Sequence, residues 1–185
     1  VGCLEFLLRE YIIISRGGQG GVTASRILAS AVALEGGWAQ AIPEFGAERR
    51  GAIVKSYLRI SDKPILRHSI VKTPHGVSIF SSKILELVDI NTLTPPGIPI
   101  LINSRGRIEV KDRTVYTIDA TGIALKLGLV IAGWPLVNIP MASAMAKVFN
   151  IASLDNIIEA MGEYFRGKLL ELNIEAAKLA WSSVG

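Results

Sequence analysis

Four glycines around a single glutamine, Gly17-Gly18-Gln19-Gly20-Gly21, stand just after the apolar run Ile12-Ile13-Ile14 and just before helix-forming residues that begin at Val22. A glycine turn between a buried strand and a helix suits anions. Glycine lets backbone N–H groups converge on one concavity, and the first turn of the helix adds partial positive charge. A second stretch, Glu44-Phe45-Gly46-Ala47-Glu48-Arg49-Arg50-Gly51, sets two adjacent guanidiniums between glycines. Each guanidinium is a planar fork of donors that matches phosphate or carboxylate and keeps its charge at any working pH. Ligand binding, subunit contact and simple neutralisation by Glu44 and Glu48 all remain open for this pair.

The glycine spacing obeys neither of the familiar nucleotide rules. A dinucleotide fingerprint begun at Gly18 meets Thr23 where glycine or alanine is required, and a Walker loop begun at Gly17 meets Val22 where it needs glycine before lysine. Nicotinamide and ATP are therefore poor guests, and a tight strand-to-helix crossover with no ligand is the plain alternative.

The elements that must position these residues follow from the apolar pattern. Tyr11 to Ser15 reads as a strand and Val22 to Glu35 as a helix, closed by Gly36-Gly37. Ala52 to Ile60 and Pro64 to Val71 are extended runs joined by Ser61-Asp62-Lys63-Pro64, which predicts an antiparallel hairpin. Val77 to Phe80, Ile98 to Ile102 and Val115 to Ile118 are further strands, with a short helix over Ser82 to Val88. Helices are predicted at Gly122 to Val130, Pro140 to Phe149, Leu154 to Tyr164 and Leu170 to Ala180. The alternation predicts one domain over residues 1–185: a three-layer α/β/α sandwich around a mixed, mainly parallel sheet, with one β-hairpin.

Composition narrows the partners. Half of the 185 residues are hydrophobic and mean hydropathy is +0.41, so oligomerisation or a larger complex is expected to cover apolar surface. No charge falls between Lys126 and Lys147, but Pro135 and Pro140 interrupt that window and argue for two buried segments rather than a membrane span. No secretory signal is visible, and a cytoplasmic location is expected. The single cysteine, Cys3, cannot make an internal disulfide or hold an iron-sulfur cluster or zinc unaided, and His68 and His75 do not make a metal site. The net charge of +4 is concentrated in residues 16–67, where eight Lys/Arg face four acids. That favours an anionic ligand over nucleic acid, since aromatics are only 6% and are not interleaved with the charge.

The block GGQGGVTASRILASAVALEGGWAQAIPEFGAERRGAIVKSYLRISDKPI closely resembles the gamma subunit, or gamma domain, of the 2-oxoacid:ferredoxin oxidoreductases. The likeness continues through Thr117-Ile118-Asp119-Ala120-Thr121, through Asn138 in LVNIPMASAMAK, and through Gly167-Lys168-Leu169 with Asn173-Ile174-Glu175-Ala176. Ser15 stands where the family usually has glycine, and Thr73-Pro74-His75-Gly76 replaces its common Pro-Asp, so His75 carries no functional weight.

The resemblance implies a subunit of an enzyme that oxidatively decarboxylates a 2-oxoacid, reduces ferredoxin and transfers the acyl group to coenzyme A, or runs in reverse. It implies thiamine diphosphate with magnesium, and [4Fe-4S] clusters, in alpha, beta and delta partner subunits. Coenzyme A binding and assembly fall to the gamma part. Carried onto this sequence, the implied coenzyme A residues are Gly17, Gly18, Gln19, Gly20, Gly21, Arg49, Arg50 and Asn138. FGAERRG looks like the pyruvate or branched-chain type, and pyruvate is the favoured substrate. A stand-alone nucleotide or coenzyme A binding module without redox partners is the alternative.

The remaining polar and aromatic residues read as structural. Asp119, between a strand and a helix, is expected to cap free N–H groups, and Asn138 could cap the helix entered at Pro140. Trp38, Trp134 and Trp181 read as buried packing.

Overall fold

The computed structural model describes residues 8–44, 52–67 and 69–185. Strand β1 (Arg9–Arg16) lies inside a six-stranded sheet of order β2-β3-β1-β4-β5-β6. The others are β2 (Trp38–Pro43), β3 (Ile53–Ser61), β4 (Gly76–Ile79), β5 (Ile100–Asn103) and β6 (Val115–Ile118). β1, β4, β5 and β6 run parallel, while β3 is antiparallel to both β1 and β2. The sheet is thus mixed and mainly parallel, as the alternating pattern predicts.

Strand side chains alternate between two cores. Tyr11, Ile13, Leu58, Ile60 and Leu101 face a large cluster built with the helices α1 (Gly21–Leu34), α4 (Asn138–Val148), α5 (Leu154–Met161) and α6 (Gly167–Ser183). Ile12, Ile14, Val77, Ile79, Ile100 and Ile102 face the other way. They are covered by Ile84 from a 3-10 helix (Ser82–Glu86), Ile90 from the single-turn α2 (Ile90–Leu93), and Val71. The third layer is therefore assembled from short turns and loops. Small residues let α1 approach the sheet closely: a β-carbon at Gly21 would lie 2.5 Å from Ser15 Oγ. Gly36 (φ +80°) ends α1 in the left-handed conformation, and its N–H donates to the Ala33 carbonyl at 2.9 Å.

The predicted hairpin between residues 52–60 and 64–71 does not form. The slot beside β3 is taken by β2, in the register Gln40↔Arg59 and Ile42↔Tyr57. The described residues 64–67 and 69–71 are not a strand; they are held to the sheet by a buried cation. Arg59 is fully buried, its Nε donates to Glu10 Oε1 at 2.6 Å, and its other nitrogens donate to the carbonyls of Arg67 (3.1 Å) and Ser69. Gln40 Nε2 adds a bond to the Ile65 carbonyl at 3.0 Å. A hairpin does occur elsewhere, between β7 (Val130–Ile131) and β8 (Trp134–Pro135), after α3 (Ala120–Lys126).

The tryptophans divide. Trp181 packs against the main core, whereas Trp38 and Trp134 are half exposed, contrary to the expectation of buried packing. Both lie outside the two main layers of packing, Trp38 on the edge strand and Trp134 on the small hairpin. Among the described residues, no helix is long and apolar enough to cross a membrane.

Candidate anion-binding crevice

The parallel strands β1, β4, β5 and β6 bring their carboxyl ends to one edge of the sheet. From β1 the chain leaves through α1 toward β2 and β3; from its neighbour β4 it leaves through the 3-10 helix and α2 toward β5, on the other side. Connections that depart in opposite directions leave a crevice above the strand ends, the usual ligand position in open α/β sheets. The glycine turn forms one wall of that crevice.

The turn is stapled from within. The Gly17 N–H donates to the Ala52 carbonyl at 2.8 Å and the Gln19 N–H to the Arg16 carbonyl at 3.0 Å. Gln19 then folds back: its Oε1 accepts from the Arg16 N–H at 2.8 Å, and its Nε2 donates to the Phe80 carbonyl at 3.4 Å. Gly18 (φ +94°) and Gly20 (φ +78°) sit in the left-handed region, and Gly20 is the N-cap of α1. The carboxamide of Gln19 is thus engaged in shaping the turn. Just after the turn, the first N–H groups of α1 are donors that an α-helix cannot satisfy internally.

Asn138 meets this turn although it lies more than a hundred residues away in sequence. It is the first residue of α4, only 8% exposed, and its side chain packs on Gly20. Its Oδ1 is buried without a hydrogen-bond partner, as is Nε of Arg16. The expected capping role is not observed: the N-cap of α4 is Val137, and no side chain caps it. Asp119 does cap, accepting from the Gly122 N–H at 2.7 Å at the start of α3. Arg49 and Arg50 lie outside the described residues. Glu44, just before that stretch, accepts a hydrogen bond from the Tyr57 hydroxyl. Burial, together with this carboxylate, raises the pKa of Tyr57 well above the usual phenol range.

Beyond Gln19 the crevice opens into a cleft of about 320 Å³ lined by the residues that follow β4, β5 and β6, among them Ser82, Lys83, Arg105 and Asp119. A second, larger cleft of about 560 Å³ shares Arg105 and Asp119 and runs on past Lys126 to the end of α6. Arg105 Nε lies 3.7 Å from Asp119 Oδ2, with its side chain 77% exposed, so the pair is weak and the guanidinium remains open to a ligand. Lys83, Arg105 and Lys126 against Asp119 leave a surplus of positive charge beside the hydroxyl residues Ser81, Ser82 and Ser104. That combination suits anionic oxygens. Among the described residues, no three His, Cys, Asp or Glu side chains come together as a metal site would need.

The structure joins the glycine turn and Asn138, two of the three stretches singled out in the sequence. It adds Phe80, Lys83, Asn103 and Arg105, which sequence reading passed over. A signal was present: Phe80-Ser81-Ser82-Lys83 and Asn103-Ser104-Arg105 each switch from apolar strand to polar and basic residues. That switch marks the carboxyl end of a parallel strand.

Comparison with known proteins identifies the family of the chain. Residues 10–183 match the family model described as pyruvate ferredoxin/flavodoxin oxidoreductase. The chain is 41% identical to the pyruvate synthase subunit PorC of Methanothermobacter thermautotrophicus over 170 residues, covering 91% of this chain and 92% of that one. It is 40% identical to the pyruvate/ketoisovalerate oxidoreductases common subunit gamma of Thermococcus kodakarensis, over 90% of this chain and 92% of the other. The crystal structure of the pyruvate oxidoreductase subunit PORC from Thermotoga maritima superposes with a TM-score of 0.80 at 26% identity, covering 96% of this chain and 97% of that one. A 2-oxoglutarate:ferredoxin oxidoreductase from Magnetococcus marinus, solved with coenzyme A bound, shares the fold at 18% identity and a TM-score of 0.76, over 95% of this chain and 31% of its own. By sequence and by fold, the chain belongs to the pyruvate ferredoxin/flavodoxin oxidoreductase family, as one of its gamma subunits.

Proposed function

We propose that this gamma subunit supplies part of the coenzyme A site, and an assembly surface, in a cytoplasmic 2-oxoacid:ferredoxin oxidoreductase whose substrate is pyruvate. The overall reaction cleaves the bond between the carboxylate and the carbonyl carbon, releases carbon dioxide, passes an electron pair to ferredoxin and joins the acetyl group to the coenzyme A sulfur. Thiamine diphosphate with magnesium would supply the decarboxylation chemistry and [4Fe-4S] clusters the electron path, both held by the alpha, beta and delta partners. The share of this chain is to bind and orient the thiol substrate, so that a bimolecular transfer becomes local to the complex.

The observation that carries this reading is the crevice headed by the glycine turn. Lys83 and Arg105 line the cleft that opens beside Gln19 of that turn, where their charge suits a phosphate-bearing ligand. Asn138, with its unpaired buried Oδ1 against Gly20, offers an acceptor to a ligand N–H, as the amide-rich arm of coenzyme A provides. Gln19 and Gly17 hold the turn in shape. Arg49 and Arg50 add charge to the ligand or hold a partner subunit.

Equilibrium dialysis of coenzyme A against the complex assembled with its partner chains tests the reading. Lys83→Ala, Arg105→Ala and Arg49→Ala are each expected to weaken binding several-fold, and binding by the unsubstituted complex is expected to fall as salt rises. Unchanged affinity in all three variants would make these stretches scaffold rather than ligand site.

A further inference from the structure

The carbonyl of Phe80, the residue that follows β4, receives side-chain carboxamides from both sides of the crevice. Asn103 Nδ2, at the end of β5, donates to it at 2.9 Å, and Gln19 Nε2, in the glycine turn, at 3.4 Å. The Phe80 N–H donates in turn to the Ile14 carbonyl of β1 at 2.9 Å. A single residue therefore ties three strand ends together.

Asn103 reaches further than Phe80. Its Nδ2 also donates to Thr121 Oγ1 at 2.9 Å, and its Oδ1 accepts from the Thr121 N–H at 3.2 Å. Thr121 lies in the first turn of α3, two residues after Asp119, whose carboxylate caps that helix and pairs with Arg105. Asn103 is 6% exposed and both ends of its carboxamide are engaged, so it has little left to offer a ligand directly. An apolar side chain could fill the same volume at a strand end. A buried amide satisfied by two different elements instead fixes the distance between them.

We propose that Asn103 is a positioning residue of the anion crevice. By holding the Phe80 carbonyl and the Thr121 amide together, it sets the glycine turn, through Gln19, and the Arg105–Asp119 rim at the separation a phosphate-bearing ligand requires. The inference rests on the coenzyme A reading given above and extends it to a residue that lines the cleft but acts through Phe80 and Thr121.

The test is a double-mutant cycle on coenzyme A affinity, measured by equilibrium dialysis on the assembled complex and normalised to complex recovered by size exclusion. Asn103→Ala, which removes all three of these hydrogen bonds, is expected to raise the dissociation constant about tenfold. Gln19→Ala is expected to raise it several-fold. The double variant should be no weaker than Asn103→Ala alone, because both side chains act through the Phe80 carbonyl. Asn103→Ser, which keeps a donor, should recover part of the loss, and it replaces Asn103→Ala in the cycle should the latter not assemble. Unchanged affinity in the Asn103 variants, or effects that multiply in the double variant, would overturn the proposal. Lys83→Ala and Arg105→Ala separate the two levels. Should they weaken binding while the Asn103 variants do not, the coenzyme A reading stands and the positioning role falls. Should none of them weaken it, the coenzyme A reading itself fails.

Discussion

Asn138 occupies the space that a side chain at residue 20 would need: a β-carbon built on Gly20 would lie 2.9 Å from Asn138 Cβ and 3.2 Å from its Nδ2. Because Gly20 also holds φ +78°, Gly20→Ala meets both a backbone penalty and a collision. The expected loss is at least about 1–2 kcal/mol from the left-handed conformation alone. In an Asn138→Gly background the collision disappears and the backbone penalty stays, so the same substitution should cost less. Urea unfolding of the purified chain in all four combinations measures the difference.

The Glu10–Arg59 pair predicts a larger effect. Glu10 is 8% exposed and Arg59 fully buried, and they face each other in the register of β1 and β3. Arg59→Met leaves a buried carboxylate and two backbone carbonyls without their donor. A destabilisation of about 3–5 kcal/mol is expected, whereas Glu10→Gln, which keeps an oxygen acceptor for Arg59 Nε, should cost less. A shift of the urea midpoint without change of slope would confirm this; loss of less than about 1 kcal/mol in Arg59→Met would contradict it.

Glu35 gives stability a dependence on acid pH. Burial pushes its carboxyl up, but the Ser153 N–H at 2.6 Å and Asn156 Nδ2 at 3.0 Å outweigh that and hold it below its ordinary 4.5. A folded-state pKa lower than the unfolded one contributes stability that is complete above the unfolded value and disappears as pH falls through the folded value. Thermal unfolding below about pH 5 should therefore fall less steeply with acid in Glu35→Gln than in the parent chain. The site joins the end of α1 to the start of α5, so the same variant should also loosen the contact between those helices.

The β7–β8 hairpin turns through Ala132 (φ +49°) and Gly133 (φ +80°), two left-handed residues in succession. Such a turn favours asparagine before glycine, and alanine is strained there. Ala132→Asn is expected to stabilise the chain by up to about 1 kcal/mol. A melting temperature that falls instead would show that the hairpin gains nothing from the relaxed turn.

The sequence made β1, the glycine turn and α1 legible because Ile12 to Ile14 and the glycines are local signals of strong type. It hid β2, since Trp38-Ala39-Gln40-Ala41-Ile42-Pro43 has little β propensity and forms an edge strand through pairing with β3. It also misplaced residues 64–71, whose Ile65, Leu66, Ile70 and Val71 look like a strand. Only Val71 is buried, while Leu66 is 86% exposed and the run is pinned through its carbonyls by Arg59. No local pattern announces a contact made by the backbone of one segment with a side chain from another. For the same reason the join between Gly20 and Asn138 was invisible, although each residue stood out alone.

A carbonyl oxygen has two lone pairs, and at Phe80 both face amides from inside the protein. At Phe80 the floor of the crevice is therefore polar yet closed to newcomers: a ligand that offers a donor there finds the carbonyl taken, and the unpaired acceptor sits instead on Asn138. Recognition passes to the rim, where Lys83 and Arg105 present hydrogens beside Ser81 and Ser82. The crevice sorts its guests chiefly by the acceptors they carry, and stripping phosphates from a ligand should cost more than removing one of its N–H groups.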